Sequence, residues 1–335
     1  MILYLGNKKS VTPSNVDTLG EQLKDMYDVV TCSEVPNKIV RFLDMIRYII
    51  KYRKECKLMI VDTYSTWNFY YALMTAFFGK LFGIPYIPIL HGGNLPEKIR
   101  KDPKMSKYLF GGSVANITPS IYLKEAFEKE GYKTLYIPNN IELEKYKFKL
   151  REKIEPKILF VRSFAKIYNT PMAIKVFESI AKKYPNASLC MVGPDRDGSL
   201  ESTKALAKKA GLEDRVIFTG GLPKEEWIAL AKDYDIFINT TNFDNLPVSI
   251  VEAMALGFPI VSTNVGGLAY LIEDGVDGLM VDKNDHEEMI QKIEELLNNP
   301  NLCKNLSTNA RKKADTYAWN VIKEQWDTVI KGVIK

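Results

Sequence analysis

The sequence is poor in the side chains that bind metals or form disulfides. Its 335 residues include four cysteines, which lie far apart without a C-x-x-C pair, and two histidines. Scattered cysteines do not make a disulfide framework, and two histidines cannot complete a zinc site with them. We therefore expect a reducing, cytoplasmic compartment, with neither disulfides nor a metal site built by the protein.

Long apolar runs and a cleavable leader are also missing. The most apolar stretch, residues 67–84, is interrupted by Asn68, Lys80 and two glycines. It falls short of the roughly 20 apolar residues that a membrane-spanning helix needs. The opening MILYLGNKKS has no charged region followed by a long apolar stretch, so it is typical of a first strand and not of a signal peptide. The sequence predicts neither a transmembrane segment nor export by that route.

The composition is that of a folded globular protein with an uneven charge distribution. Hydrophobic residues make up 46% and charged residues 26% of the chain, which excludes intrinsic disorder, and the length favours two domains. Residues 1–150 carry 22 Lys and Arg against 15 Asp and Glu, whereas the remainder carries 24 against 26. The basic half indicates an anionic partner, either a membrane surface or an acidic substrate, and no nucleic-acid partner is expected.

Short β-branched runs alternate with amphipathic helical stretches along the chain, a pattern typical of parallel α/β sheets. The pattern restarts after the charged stretch 147–157, so a second domain begins near residue 155. We predict two Rossmann-like domains facing a cleft: residues 1–150, with a terminal helix over 317–335 packing back on them, and residues 151–316. The predicted strands are MILYL, YDVVTC, KLMIVD, YIPIL, ANIT and TLYIP, then KILFV, ASLCMVG, RVIFTG, DIFINT and PIVST.

Residues that follow the strands of the second domain are the first candidates for a ligand site, since open parallel sheets bind ligands beyond the carboxyl ends of their strands. Arg162 follows KILFV and can neutralise a phosphate through two parallel hydrogen bonds. Gly193, Gly220 and Gly221 follow the next strands, where glycine permits close backbone approach. Any one of these glycines could simply form a turn, but several at one edge favour a ligand.

The segment DIFINTTNFDNLPVSIVEAMALGFPIVSTNVGG predicts a strand, a helix and a second strand. Over residues 248–256 the helix is apolar except for Ser249 and Glu252, which share one face. A buried carboxylate needs hydrogen-bond donors, so Glu252 meets either groups of the protein or the hydroxyls of a ligand. Asp244 precedes this helix, whose free N–H groups favour an anionic ligand. With the nearby arginine, these features indicate a site for a sugar joined to phosphate.

These residues resemble the retaining nucleotide-sugar glycosyltransferases of GT-B fold that carry an E-x7-E motif, and the resemblance covers nearly the whole chain. It implies that Glu252 binds the nucleotide ribose and that Asp244, which is one methylene shorter than the family's first Glu, contacts the donor sugar. It implies a phosphate-binding role for Arg162. The family's usual Lys five residues later is Ile167 here, so we expect Lys166 to replace it. The backbone amides implied to cradle the donor are those of Asn245, Leu246 and Val248, with the loop containing Gly220 and Gly221 near the base.

In the first domain, the strand YIPIL is followed by His91, at a position where relatives often place a histidine near the reacting carbon of the donor. The resemblance therefore implies a catalytic role for His91, and a structural histidine that caps a turn is the alternative. The loop over residues 6–14 begins with Gly6 and contains Lys8 and Lys9. It resembles the acceptor-side loop of the family.

The resemblance implies transfer of a sugar from a nucleotide-diphosphate sugar to an acceptor hydroxyl with retention of configuration, in polysaccharide or glycolipid assembly. The donor is a substrate, no cofactor or metal is expected, and the acceptor is a sugar or a lipid-linked molecule. Arg162 and Lys166 would stabilise charge on the departing diphosphate. One alternative is a sugar-nucleotide-binding scaffold without turnover. The other, a nicotinamide dehydrogenase, is disfavoured because no G-x-G-x-x-G follows any strand.

The segment 38–54 predicts an amphipathic helix with basic residues on its polar side. Such a helix can rest on an anionic membrane, which would make the protein peripheral at the inner face of the membrane. Alternatively, it packs its apolar stripe on the first sheet and shows its charges to water. The apolar residues at helical spacing are Ile39, Phe42, Leu43, Ile46, Ile49 and Ile50, among the basic residues Arg41, Arg47, Lys51, Arg53 and Lys54.

Overall fold

The computed structural model describes residues 1–8 and 14–334, and the chain divides into two compact units. The first unit comprises Met1–Asn139 and Asn320–Lys335, and the second comprises Asn140–Trp319. Each unit holds a six-stranded sheet whose neighbouring strands run parallel. The α/β class predicted from the sequence is confirmed.

The sheet of the first unit has its amino-terminal strand second from one edge, in the order β2-β1-β3-β4-β5-β6. Every residue of β1, β3 and β4 is buried, as expected for parallel strands covered on both faces by helices. The strands are β1 (Ile2–Leu5), β2 (Val29–Cys32), β3 (Leu58–Thr63), β4 (Tyr86–Leu90), β5 (Asn116–Thr118) and β6 (Thr134–Tyr136).

Seven helices belong to the described part of the first unit, and the last of them comes from the far end of the chain. That helix buries Ile322, Trp326 and Ile330. It is also joined to the turn before β2, where the Tyr27 hydroxyl donates to Asp327 Oδ1 at 2.5 Å. The helices are α1 (Asn15–Leu23), α2 (Lys38–Tyr52), α3 (Trp67–Phe82), α4 (Leu95–Lys101), α5 (Pro103–Phe110), α6 (Ile121–Lys129) and α14 (Trp319–Val333).

The second unit repeats this architecture with the strand order β12-β11-β10-β7-β8-β9. Its strands are β7 (Lys157–Val161), β8 (Ser188–Val192), β9 (Val216–Gly220), β10 (Ile236–Asn239), β11 (Ile260–Thr263) and β12 (Leu279–Val281). Its helices are α7 (Thr170–Lys183), α8 (Ser199–Lys209), α9 (Lys224–Leu230), α10 (Val248–Ala255), α11 (Leu268–Leu271), α12 (His286–Asn298) and α13 (Pro300–Asp315), with short 3-10 turns at Leu143–Lys145, Lys166–Tyr168 and Ala231–Asp233.

The boundary between the two units lies between Asn139 and Asn140, before the predicted boundary at residue 150. The reason is that residues 140–151 form hydrogen bonds with the rest of the second unit. The Lys149 N–H donates to the Leu256 carbonyl at 3.2 Å. The buried Arg151 guanidinium donates to the same carbonyl at 2.6 Å. These partners lie about a hundred residues away in sequence, so a local charge pattern does not predict them.

Helix α10 follows β10 and precedes β11, as the strand-helix-strand pattern predicted. Every residue from Ser249 to Ala255 is buried, in keeping with the apolar sequence of the helix. Gly257 follows the end of the helix with a φ of 78°, a left-handed conformation that favours glycine. A Cβ there would lie 2.5 Å from the Lys149 carbonyl oxygen. Both the conformation and the close approach therefore require glycine after α10.

Among residues 1–8 and 14–334, the structure contains no helix with the length and apolar character needed to cross a membrane.

Candidate functional site

Arg162 lies directly after β7, where it forms an ion pair with the Asp244 carboxylate from the loop after β10. The guanidinium also lies over the ring of Tyr168, 4.5 Å from its centroid. Burial lowers the pKa of Arg162, while Tyr168 and the Glu252 carboxylate act in the opposite direction. The second unit therefore brings Arg162, Asp244 and Glu252 into one electrostatic environment at the carboxyl edge of its sheet.

A short 3-10 turn, Lys166–Tyr168, connects this arginine to the loop after β10. The Asn242 N–H donates to the Ile167 carbonyl at 2.7 Å, and the Thr241 hydroxyl donates to the same oxygen at 3.2 Å. Lys166 donates its backbone N–H to Asp197. Its side chain is exposed and forms no ion pair with any residue that the structure describes. The turn thus places Arg162 and Asp244 together, whereas the Lys166 ammonium is not brought into their ion pair.

The glycines after β8 and β9 allow the backbone to pass close to these residues. A Cβ at Gly193 would lie 1.9 Å from the Arg162 carbonyl oxygen, so no other residue fits there. Gly220 has a φ of 70°, a left-handed conformation that favours glycine. Gly221 is less constrained, since a Cβ there would lie 3.4 Å from Pro194. Gly193 and Gly220 therefore have a structural reason to be glycine, and the N–H of the first donates to the carbonyl of the second at 2.8 Å.

Glu252 is buried in α10, with 6% of its surface exposed, and its donors are side chains rather than backbone amides. The Tyr146 hydroxyl donates to Glu252 Oε1 at 2.6 Å, and the Lys224 ammonium lies 2.9 Å from the same oxygen. Burial, followed by the charge of Glu252, raises the pKa of Tyr146, so this tyrosine stays a proton donor. Both partners bind Oε1, and no hydrogen bond of Oε2 is found among residues 1–8 and 14–334.

The segment entering α10 is fixed by Asp244 in two ways. Its Oδ1 accepts from the Asn245 N–H at 2.8 Å, and its carbonyl accepts from the Gly267 N–H at 2.9 Å. Leu246 and Val248 are half-buried at the start of the helix. Asp244 therefore holds Arg162 and the helix-entry loop at once, a role that the sequence pattern did not predict.

Several buried polar atoms at this sheet edge lack a hydrogen-bond partner in the described part of the chain. They are Arg162 Nε, Asn239 Oδ1, Asn242 Oδ1 and Ser249 Oγ. A buried polar group without a partner costs roughly 1–3 kcal/mol, and most such groups in proteins are satisfied. These atoms lie on the segments after β7, at and after β10 and at the start of α10, which makes this edge of the sheet the candidate site, where water or a ligand can supply the remaining partners.

The first unit has a polar cluster of its own at the carboxyl ends of β3 and β4. His91 Nε2 lies 3.0 Å from Asp62 Oδ1, and the Tyr4 hydroxyl donates to that oxygen at 2.8 Å. Asn15 Nδ2 donates to the Tyr4 oxygen at 2.7 Å. The His91 ring stacks on Tyr64 with 5.2 Å between ring centroids. Burial, followed by the charge of Asp62, raises the pKa of both tyrosines.

Gly6 lies beside this cluster for a steric reason. A Cβ at Gly6 would lie 2.8 Å from Asp62 Oδ2 and 2.8 Å from the Val16 Cβ. Lys8 forms an ion pair with Glu34 at 2.7 Å. Lys9 and the rest of 9–13, which belong to the predicted acceptor-side loop, lie outside the described residues.

The residues that the sequence interpretation missed share one property, namely that their partners are distant in the chain. Tyr146 and Lys224 bind Glu252 from other elements, and Asp62 binds His91 from the neighbouring strand. The sequence held one indication for Asp62, because this residue ends the apolar strand KLMIVD, at the carboxyl edge of the sheet where functional residues are expected. The sequence held no such indication for Tyr146.

Two Asp-x-Asp triplets occur in the second unit, and their carboxylates bind protein groups. Asp195 Oδ1 accepts from the Gly198 N–H at 3.0 Å, and Asp197 accepts from Ser199 and Lys166. In the second triplet, Asp235 accepts from the Lys149 ammonium at 3.0 Å. No group of three or more His, Cys, Asp or Glu with metal-binding geometry is found in the described ranges of the chain.

A sequence profile for the family described as glycosyl transferases group 1 matches residues 142–313, about half of the chain, including Arg162, Asp244 and Glu252. Among curated relatives, an uncharacterized glycosyltransferase of Haemophilus influenzae is 32% identical over 159 residues, covering 47% of this chain and 44% of the relative. The alpha-monoglucosyldiacylglycerol synthase of Acholeplasma laidlawii is 26% identical over 232 residues, covering 69% of this chain and 56% of the relative. The chain thus spans about half the length of these relatives.

Solved structures match almost the whole chain. Sucrose-phosphate synthase from Thermosynechococcus elongatus gives a TM-score of 0.81 at 17% identity, covering 99% of this chain and 98% of that chain. HepE of Anabaena, solved in complex with UDP and glucose, gives a TM-score of 0.78 at 18% identity, covering 99% of both chains. At these identities the likeness shows the fold alone, which is of the GT-B class, as the sequence resemblance implied.

Proposed function

The chain belongs to the glycosyl transferases of group 1, and from this premise we propose that it transfers a sugar from a nucleotide-diphosphate sugar to an acceptor hydroxyl with retention of configuration. The observation that carries the proposal is the set of buried, unpartnered polar atoms on the segments that follow β7 and β10 and open α10, Arg162 Nε among them. A diphosphate joined to a sugar supplies both the acceptors that the Arg162 Nε–H lacks and hydroxyl groups for the unpartnered oxygens.

The donor would be held mainly by three groups of the second unit. Arg162 binds the diphosphate, and its ion pair with Asp244 keeps the guanidinium in place until the ligand arrives. Backbone amides at Leu246 and Val248, at the positive end of α10, add donors for phosphate oxygens, whereas the Asn245 N–H is already bound to Asp244 Oδ1 at 2.8 Å. Glu252 binds the ribose, since its Oε1 is already held by Tyr146 and Lys224 and Oε2 is left to accept from hydroxyls.

Catalysis in this proposal needs no nucleophile from the protein and no metal. The acceptor hydroxyl attacks on the face from which the diphosphate leaves, and the protein stabilises the charge on the leaving group. Arg162 and the start of α10 supply that stabilisation, with Lys166 in a secondary role because its ammonium is exposed. His91 is assigned to the charge that develops at the reacting carbon.

The donor can be identified by binding before any acceptor is known. UDP, GDP, ADP and dTDP are each titrated calorimetrically, and the sugar nucleotides of the best binder are then assayed for release of the nucleoside diphosphate in excess chelator. We expect tight binding of one base and slow release that an added sugar or lipid acceptor accelerates. Binding of a nucleotide sugar without release under any condition would favour the scaffold alternative, and a strict requirement for magnesium would contradict the metal-free mechanism.

Retention of configuration has a separate readout. Proton NMR of the product reports the anomeric configuration of the transferred sugar relative to the donor. An inverted product would reject the retaining mechanism while leaving the assignment of the donor site intact.

The acceptor in this proposal is a sugar or lipid-linked molecule of polysaccharide or glycolipid assembly, reached at an anionic membrane surface. The alpha-monoglucosyldiacylglycerol synthase relative supports a lipid acceptor by its name. On α2, Ile39 and Leu43 are 63% and 59% exposed, and on α3, Phe77 and Leu81 are 53% and 60% exposed. Met45 and Ile49 point to the core, so α2 has both a packed and an exposed apolar face. Exposed apolar side chains with basic neighbours suit insertion into an anionic interface.

One of the basic residues expected on the polar side of α2 is not available to a membrane. Arg41 is buried and donates from Nε to the Val35 carbonyl at 2.7 Å and from Nη2 to the Pro36 carbonyl at 3.0 Å. Arg47 and Lys51 remain exposed. The expectation for Arg41 was therefore wrong, because its guanidinium satisfies carbonyls of the loop before the helix.

Sedimentation with vesicles tests the membrane assignment. Vesicles containing phosphatidylglycerol should bind the protein at low salt, pure phosphatidylcholine should not, and Leu43→Glu with Phe77→Glu should abolish binding. Ile217→Glu is the matched control, since Ile217 is 52% exposed on the second unit. The membrane assignment is rejected if the protein does not sediment with phosphatidylglycerol vesicles at low salt. It is also rejected if Ile217→Glu loses vesicle binding as completely as the double variant.

A further inference from the structure

The buried Asp62 of the first unit has no role in the proposed function, although it is the centre of the polar cluster at the ends of β3 and β4. We propose that Asp62 is a positioning residue that holds the His91 ring with its proton on Nε2, so that Nδ1 carries the lone pair. The catalytic half of this inference rests on the proposed function of His91. The structural half, the tautomer, does not.

The geometry defines which atoms interact. His91 Nε2 lies 3.0 Å from Asp62 Oδ1, and the side chains are 7% and 3% exposed. A carboxylate accepts hydrogen bonds and does not donate them, so the proton of a neutral imidazole that makes this contact is on Nε2. The other nitrogen is then the basic one. Without Asp62, an imidazole can place its proton on either nitrogen.

The surroundings of Asp62 hold its carboxylate in one orientation. Oδ1 also accepts from the Tyr4 hydroxyl at 2.8 Å, and Asn15 Nδ2 lies 3.4 Å from the same oxygen. On the opposite side, Gly6 leaves no room for a side chain next to Oδ2. The ring is fixed in turn by Tyr64, which stacks on it at an angle of 28°. Both partners of the hydrogen bond are therefore restrained by their neighbours.

The cost of this arrangement argues against a purely structural role. No Lys or Arg of the described ranges forms an ion pair with Asp62, whose only ionisable ion-pair partner there is His91. Burying a carboxylate without a permanent cation is expensive, and an apolar side chain at the end of β3 would stabilise the fold at least as well. The carboxylate is explained if its function is to orient the imidazole.

The tautomer can be measured directly because the chain has only two histidines. Two-dimensional NMR of protein labelled with 15N-histidine gives one spin system for His91 and one for His286, and His286→Gln assigns them. We expect the Nε2-protonated pattern for His91 in the unmodified protein and a mixture of both neutral tautomers in Asp62→Asn. An Nδ1-protonated pattern in the unmodified protein would overturn the inference, whether or not Asp62→Asn folds.

Kinetics test the catalytic half with the donor identified by the nucleotide panel. Asp62→Asn should lower kcat by about tenfold or more while the donor KM stays within about twofold, because a misoriented imidazole no longer stabilises the charge at the reacting carbon, which affects the chemical step and not binding. Tyr86→Phe is the matched control, since Tyr86 is a buried tyrosine on β4 that donates to the Leu109 carbonyl at 2.7 Å. It should lower stability without changing the His91 tautomer or kcat.

Two kinetic outcomes would overturn the inference: an unchanged kcat in folded Asp62→Asn, or the same fall in kcat in Tyr86→Phe. If no donor is turned over at all, the proposed function fails, and the NMR pattern still decides whether Asp62 orients His91.

Discussion

The polar clusters of the two units differ in how their hydrogen bonds are completed. In the first unit, Asp62 accepts from Tyr4 and His91, and the described part of the cluster contains no buried atom without a partner. In the second unit, the neighbourhood of Arg162 leaves buried donors and acceptors unpaired. A satisfied cluster keeps one geometry without a ligand, whereas an unsatisfied one gains most when a ligand binds. This difference agrees with the two proposals, in which the first cluster orients a group and the second binds a ligand.

The strongest test of this contrast is Arg162→Met, which removes the charge and keeps much of the apolar stem. Losing charged hydrogen bonds of about 3 kcal/mol should weaken binding of the preferred nucleoside diphosphate about a hundredfold, measured by calorimetry. Arg215→Met is the control, since Arg215 donates only to the carbonyls of Ala181, Tyr184 and Ala187. The control should lower thermal stability and leave affinity unchanged. Equal affinities in both variants would contradict the contrast.

A smaller effect is expected from Glu252→Gln, which keeps the side-chain size and an acceptor for Tyr146 and Lys224. Loss of the charged acceptor should weaken nucleotide binding by about 1.5–3 kcal/mol, tenfold or more, with the fold intact. Tyr146→Phe separates structure from binding, because it removes one buried hydrogen bond of about 1 kcal/mol and should mainly lower the melting temperature. If Glu252→Gln lowers stability with unchanged affinity, the carboxylate is structural.

The unpartnered hydroxyls offer a sharper comparison between the two units. Ser249→Ala removes a buried Oγ without a partner, so the ligand-free protein should be equally stable or up to about 1 kcal/mol more stable. Nucleotide binding should weaken about three- to tenfold if this hydroxyl meets the ligand. Ser106→Ala is the counterpart in the first unit, where the Oγ is also buried without a partner. Ser106→Ala should change stability in the same direction as Ser249→Ala and leave nucleotide affinity unchanged. If the two variants bind the nucleotide equally well, Ser249 does not belong to the site.

The smallest effect is the part of the alkaline pH dependence of stability that comes from Tyr27. Burial and the hydrogen bond to Asp327 raise the pKa of Tyr27 to about 12, above its ordinary value near 10. Between these values the unfolded chain releases the proton and the folded chain keeps it, so stability is full below pH 10 and falls as pH rises towards 12. Because the pKa values of Tyr4, Tyr64 and Tyr146 are also raised, Tyr27→Phe should reduce this slope and not abolish it. The substitution should cost no more than about 0.5 kcal/mol at neutral pH, because the pair is partly exposed. Urea unfolding at pH 8 and pH 11 measures the slope and the cost of the substitution. An unchanged slope in Tyr27→Phe would contradict the raised pKa of Tyr27.

The sequence predicts the fold well because its information is local. Alternating strands and helices, the apolar run of α10 and the glycine after it are all readable from neighbouring residues, and every predicted strand forms. The sixth strand of the second unit, β12 (Leu279–Val281), was not among the predicted strands. The roles of Arg162, Asp244, Glu252 and His91 stay predictions that binding and kinetics must test.

The partners of those residues could not be predicted, because they depend on which strand lies beside which. Tyr146 precedes Glu252 by 106 residues, and Asp62 precedes His91 by 29. The same limit explains the ion pair of Asp244. The resemblance implied that Asp244 contacts the donor sugar, whereas the structure pairs it with Arg162. Only the parallel order β10-β7 brings these two loops to one edge.

Helix α14 has a consequence for how the two units can be made. The first unit is encoded in two pieces separated by the whole of the second, so a ribosome completes the second unit before it has synthesised the helix that buries Trp326. Residues 140–319, in contrast, form one continuous stretch of the chain. A gene for the first unit must join residues 1–139 to the segment after 319, and one that omits this segment would leave an apolar groove open where Ile322, Trp326 and Ile330 belong.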